Sequence, residues 1–112
     1  MTEETPMTGT VVLHVVDQPE DVAKAVSAAH SLTEARPGLV VRIIVNGPAL
    51  EGVTTGSATL SPDESTSVEA CAVGLKRRGV ETDSLQPEVQ TVGSAVIALA
   101  DAQLAGAAYI RI

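Results

Sequence analysis

The side chain best suited to covalent chemistry is the single cysteine of the chain, Cys71. Thr66 to Ala70 (TSVEA) favour a short strand, and CAVGLKRRG from Cys71 onwards favours a helix that Gly79 ends. A thiol at a helix start faces backbone N–H groups that lack partners within the helix, and these stabilise the nucleophilic thiolate. The pattern therefore makes Cys71 a candidate for a reactive cysteine. Two alternatives stay open. Cys71 could be a small buried hydrophobic residue without chemistry, and residues 62–78 could form one longer helix instead of a strand and a helix.

Four other side chains could take part in chemistry, and each has a simpler structural interpretation. His14 lies inside an apolar run and is predicted to be a hydrogen-bonded core histidine, whereas His30 is predicted to be a partly exposed or interface residue on a helix. Asp17 and Glu20 are spaced as in a capping box, which predicts helix capping rather than a catalytic pair. The chain has no metal-binding spacing, no G-x-S-x-G elbow and no Walker A loop, so no metal and no cofactor is predicted.

Alternating strand and helix patterns must position these residues. Apolar β-branched runs predict buried strands over 10–16, 39–45, 66–70, 89–92 and 108–112, and spacings of three and four predict helices over about 20–35, 71–78 and 93–105. This alternation predicts an α/β protein with a parallel sheet between helices. The last helix is apolar nearly all round, which is typical of burial or of a subunit interface. A short helix near 49–54 is followed by a loop that is expected to be mobile.

In an open parallel sheet, ligands bind at the carboxyl ends of the strands. Three segments are predicted to meet at that edge: 17–20, 46–60 and the strand end at Cys71. We therefore expect a pocket beside Cys71 that includes Asp17, Asn46, Gly47 and Pro48, with the 46–60 segment shielding the thiol. The direction in which Glu69 points is left open by the sequence, and its charge would oppose an anionic sulfur.

Composition limits the class of protein. The 112 residues suffice for one domain over 9–112, and the polar, acidic residues 1–8 are predicted to form a disordered tail. The formal net charge of −7 disfavours nucleic acids and anionic membranes as partners. One cysteine allows no internal disulfide, and neither a signal peptide nor an apolar run of membrane-spanning length is visible, so the cytoplasm is the expected compartment.

Four segments together resemble the DsrE/DsrF-like proteins, including the YchN-like group. They are VVLHVVD, VVRIIVNGPAL, VEACAVGLKRRGV around the cysteine, and LADAQLAGAAYIRI at the end, in this order over nearly the whole chain. The resemblance implies a three-layer α/β/α sandwich with a mostly parallel five-stranded sheet, in homo- or hetero-oligomers that are commonly trimers or hexamers. In the sulfur-relay members a cysteine placed like Cys71 carries sulfur as a persulfide between a donor and an acceptor protein.

The leading hypothesis is therefore a small cytoplasmic sulfur carrier, a sulfurtransferase-type protein that holds sulfane sulfur on Cys71. A non-catalytic oligomeric binding or assembly subunit is one alternative. A thiol redox sensor is another, although such sensors often have a resolving cysteine nearby, which this chain lacks.

Overall fold

A computed structural model describes residues 9–112, so the predicted tail over 1–8 lies outside the described residues. Five strands form one sheet in which every pairing is parallel, as expected for a chain that returns through a helix after most strands. In chain order they are β1 (Gly9–Val15), β2 (Leu39–Val45), β3 (Thr66–Cys71), β4 (Val89–Val92) and β5 (Ala108–Arg111). Their spatial order is β4-β3-β2-β1-β5.

The connections between strands cover both faces of this sheet. The helices are α1 (Asp21–Ala35), α2 (Ala72–Arg77) and α3 (Ala95–Leu104), with 3-10 helices at Gly47–Val53 and Thr82–Ser84. The chain moves in one direction from β1 to β4 and then crosses back to β5. Because parallel crossovers are right-handed, the reversal places α3 on the opposite face from α1 and α2. The predicted three-layer α/β/α architecture is confirmed.

Two apolar clusters follow from the alternation of side chains along the strands. The larger joins α1, α2 and the 3-10 helix Gly47–Val53 to strand residues such as Leu13, Ile43 and Val68. The smaller lies under α3 and consists of Val12, Ile44, Cys71, Ala95, Leu99 and Ala102. Cys71 thus belongs to the α3 side of the sheet.

The predicted elements agree with the structure to within one or two residues at most ends, and β3 is followed directly by α2. The alternative of one helix over 62–78 is therefore wrong. The capping prediction for Asp17 is also wrong: α1 begins after Glu20 without a side-chain cap, and Asp17 instead pairs with Arg111 at 2.9 Å. Within residues 9–112, no helix has both the length and the apolarity that a bilayer crossing demands.

Candidate functional site

Cys71 lies where two neighbouring strands send their connections to opposite faces of the sheet. The chain leaves β3 into α2, whose Leu75 packs in the larger cluster, and it leaves β4 into α3, which forms the smaller cluster. Cys71 is the last residue of β3 and pairs in register with Val92, the last residue of β4. Such a switch point is where open α/β sheets form a crevice for ligands.

The thiol is held by the first turns of both helices. Cys71 is the N-cap residue of α2, and its Sγ accepts a hydrogen bond from the backbone N–H of Gly74 at 3.4 Å. The same Sγ accepts another from the N–H of Ala95, the first residue of α3, also at 3.4 Å. Both donors are helix-terminal N–H groups that have no partner inside their own helix. The pair of donors is suited to an anionic sulfur, since a charged acceptor strengthens such bonds.

Cys71 is also largely enclosed, with 6% of its surface exposed. Its cluster contains α3 residues and none from the 46–60 segment. Leu50 and Val53 pack on the α1 side of the sheet, and the expected shielding of the thiol by that segment stays a prediction. The sequence could not show this, since the face that each connection covers depends on strand order.

Gly74 allows α2 to approach the sheet closely. A side chain at this position would put its Cβ 2.7 Å from Leu50 Cδ1 and 3.7 Å from Cys71 Sγ. The absence of a side chain lets the first turn of α2 bring its N–H to the sulfur while Leu50 stays in the larger core. Gly74 is a positioning residue that the sequence analysis missed.

A partly buried ion pair lies beside the site on the same face of the sheet. Arg42 donates to both carboxylate oxygens of Glu69, with distances of 2.8 Å and 2.6 Å, and Ser67 donates a third hydrogen bond at 2.7 Å. Burial alone would raise the pKa of Glu69, but hydrogen bonds from Arg42 and Ser67 and the positive charge of Arg42 outweigh it, so that this pKa is lowered. The hydrogen bond to Glu69 in turn raises the pKa of Arg42 against the opposing effect of burial. Glu69 points to the same face as Cys71, and Arg42 neutralises it.

His14 forms a second polar group on this face, as the sequence predicts for a core histidine. It is 9% exposed, and its ring contacts Tyr109 Oη at 2.7 Å and Asn46 Oδ1 at 2.9 Å. With Asn46 Oδ1 as the acceptor, Nε2 carries the proton and Nδ1 accepts from the Tyr109 hydroxyl. Asn46 directly follows the Val45–Ala70 register pair, which brings it level with Cys71 on the neighbouring strand.

The other expected pocket residues are spread along the same sheet edge. Gly47 and Pro48 open the 3-10 helix after β2, and the Asp17 side chain is 59% exposed beyond β1, two strands from β3. His30 is exposed and bonds Ser61 O, away from this edge. In the described part of the chain, no group of three or more His, Cys, Asp or Glu side chains is arranged to hold a metal ion.

Comparisons with known proteins give structural relatives. No family model and no curated protein matches the chain. Among solved structures, the protein of unknown function MTH1491 from Methanobacterium thermoautotrophicum superposes with a TM-score of 0.79 at 22% identity, covering 93% of this chain and 99% of that one. The YchN protein from E. coli superposes with a TM-score of 0.71 at 18% identity, covering 95% and 100%. The fold is YchN-like. At these identities the likeness establishes the YchN-like fold and leaves the activity to be argued from the site.

Proposed function

We propose that this protein carries sulfane sulfur as a persulfide on Cys71. The observation that carries the proposal is the pair of helix-terminal N–H groups, from Gly74 and Ala95, that converge on one sulfur at the switch point of the sheet. This environment stabilises a negative charge on sulfur before and after transfer. The resemblance to sulfur-relay proteins and the YchN-like fold agree with this role.

The transfer step requires no external oxidant. The Cys71 thiolate attacks the outer sulfur of a donor persulfide R–S–SH, and the new bond joins Cys71 Sγ to that sulfur. The S–S bond of the donor breaks at the same time, and its electron pair leaves with the inner sulfur. The donor departs as the thiol R–SH with the proton, and Cys71 keeps a persulfide anion. Release to an acceptor thiolate repeats the exchange, with the Cys71 thiolate as leaving group.

The surroundings suit storage of such a group. The apolar cluster around Cys71 limits solvent, which otherwise competes for a reactive sulfur. Glu69 is close in sequence, but its ion pair with Arg42 cancels a charge that would repel the persulfide anion. Donor and acceptor are expected to be proteins whose own cysteines reach this edge of the sheet.

The test is intact-protein mass spectrometry after incubation with inorganic polysulfide, followed by gel filtration. We expect the wild type to gain the mass of one sulfur atom, and dithiothreitol to remove it. The Cys71→Ser variant is the matched control and should gain nothing. Transfer of the bound sulfur from Cys71 to a small thiol would show that the protein carries sulfur. A wild type that stays unmodified, or that gains only oxygen as a redox sensor would, contradicts the proposal.

A second candidate function is supported by the outer face of α3. Val96, Ile97 and Leu104 are 71%, 63% and 87% exposed on this helix. Exposed apolar patches of this kind mark interaction surfaces. We propose that the chain forms a homo-oligomer, a trimer or a hexamer, through this face. A protein that assembles but takes up no sulfur would be an assembly subunit in which Cys71 is incidental.

A further inference from the structure

Helix α3 encloses Cys71 although it is attached to the sheet by few contacts. Only Ala95, Leu99 and Ala102 of this helix are buried, and two of the three are alanines. The side chain of an alanine is a single methyl group, so these residues bury less apolar surface than the leucines and isoleucines of an ordinary core helix. The apolar attachment of α3 therefore depends mainly on Leu99.

Polar contacts add little to this attachment. Within residues 9–112, no side chain of α3 forms a hydrogen bond or an ion pair with another element; Gln103 donates to Leu99 O of its own helix. The first turn meets the site through the bond from Ala95 N–H to Cys71 Sγ. At the other end, Ala107 N–H bonds Ala102 O, and β5 continues into its pairing with β1. Both ends of α3 are thus joined to strands, and before its first turn Gly93 O accepts a hydrogen bond from Val73 N–H at 3.3 Å, so the turn itself is held over the sulfur mainly by the Ala95 bond.

Space beside the helix allows it to move. One groove of about 440 Å³ lies between α3 and the end of β4, with Arg42, Gly93 and Asp101 in its wall. Another of about 230 Å³ continues along the same flank toward the C-terminal end of α3, beside the start of β1, and also reaches Arg42. Protein interiors are close-packed, so α3 lacks lateral contacts along this flank, and the larger groove lies beside its N-terminal half.

We propose that the first turns of α3 are a lid over Cys71, which opens by local unwinding with Gly93 and Ser94 as its hinge, while the C-terminal end stays fixed by β5. Closed, the lid supplies the Ala95 N–H that stabilises anionic sulfur; open, it admits a donor or acceptor. The biological meaning rests on the proposed function, but the motion itself does not. Opening of this kind is a sub-global fluctuation that exposes one residue without unfolding the sheet.

The test is the rate of Cys71 alkylation by iodoacetamide in the full chain, followed by mass spectrometry at one fixed protein concentration. Leu99→Ala removes the main apolar contact of the lid, and we expect it to accelerate alkylation by about tenfold or more. Leu60→Ala is the matched control, since Leu60 is 4% exposed and packs in the larger cluster, away from α3. It should lower global stability and leave the alkylation rate unchanged in the absence of denaturant.

A second variant guards against loss of folding in Leu99→Ala. Gly93→Ala would place its Cβ in open space, and its backbone lies outside the left-handed region. The added restriction of the hinge should slow alkylation by about two- to fivefold. A urea series separates local from global opening, since the rate through a lid depends only weakly on urea.

The lid is refuted if wild-type alkylation follows global unfolding in urea, or if Leu60→Ala accelerates it as much as Leu99→Ala does. The same holds if Gly93→Ala has no effect on the rate. These results are distinguishable from failure of the carrier proposal. If Cys71 is alkylated through opening of the lid but takes up no sulfur, the lid proposal stands and the carrier proposal fails. If Cys71 takes up sulfur but its alkylation rate does not depend on Leu99, only the lid proposal fails.

Discussion

At the scale of single residues, the site depends on cancelling a charge. Glu69 precedes Cys71 by two positions in β3, so both side chains point to the α3 face of the sheet. A free carboxylate there would oppose negative charge on sulfur. Arg42, on the neighbouring strand, binds both oxygens of Glu69 and leaves the field near Cys71 to the helix-terminal N–H groups. An arginine inside an otherwise apolar strand therefore has a specific role.

The ion pair predicts a pH dependence of stability. The pKa of Glu69 lies below its ordinary value of 4.5 in the folded chain, so on acidification the unfolded chain takes up the proton first. The contribution of the pair is full above about pH 5 and is lost as the pH falls through the lowered pKa. Glu69→Gln should be less stable than wild type by about 1–3 kcal/mol at pH 7, because it weakens charge-assisted bonds and leaves Arg42 unpaired.

Urea unfolding between pH 7 and pH 3 checks this expectation, and the difference between Glu69→Gln and wild type should shrink as the pH falls. Glu34→Gln, at an exposed position on α1, is the matched control and should differ little from wild type at any pH. A difference that stays constant down to pH 3 would contradict the assigned role of the carboxylate.

At the scale of elements, the segment between the 3-10 helix Gly47–Val53 and β3 is more firmly attached than its composition indicates. Gln86 is 6% exposed; its Oε1 accepts from Leu60 N–H, and its Nε2 donates to the carbonyls of Thr54 and Ala58. Asp63 fixes the far end through bonds from Thr33, Thr66 and Ser65. The expectation of a mobile loop thus overlooked contacts with residues far away in the sequence.

Removing the Gln86 side chain should therefore loosen this segment. We expect Gln86→Ala to destabilise the protein by about 1–3 kcal/mol, because it leaves the Leu60 N–H and two carbonyls without partners. Urea unfolding gives the stability, and hydrogen exchange should show faster exchange of the Leu60 amide. Gln18→Ala, at an exposed position before α1, should change neither quantity. An unchanged Leu60 exchange rate would show that packing rather than Gln86 holds the segment.

The sequence predicts the elements better than the site they build. Strand and helix patterns give β2 to the residue and place Cys71 at the end of β3, because periodicity and turn residues are local signals. The Asp17 cap failed because Arg111, 94 positions away, bonds the carboxylate instead. The Ala95 N–H on Cys71 and the cover supplied by α3 were missed for the same reason. They depend on the crossover from β4 to β5, and the face that this crossover covers is set by the order of the strands in the sheet.

At the scale of the whole molecule, α3 faces two ways. Its inner side meets Cys71 through small residues, and its outer side exposes Ile97 and Leu104 to solvent. If a second copy covers the outer side, it also restrains the helix over the sulfur. Assembly and access to Cys71 are then linked. If assembly stabilises the closed lid, closing of the lid must in turn stabilise the oligomer.

This link yields a prediction about assembly. Leu104→Lys places a charge on the proposed interface, and each leucine left unburied forgoes about 1.5–3 kcal/mol per subunit. We expect sedimentation velocity to show a shift from oligomer toward the 11.4 kDa monomer. Val73→Lys is the control: Val73 is 46% exposed on α2, and its substitution should leave assembly intact.

The same interface should affect access to Cys71. Wild-type Cys71 should be alkylated more slowly as protein concentration rises, and Leu104→Lys should abolish that dependence. A wild type that is monomeric at high concentration, or a Val73→Lys variant that dissociates equally, would remove α3 as the interface and leave the lid to be judged by Leu99 alone.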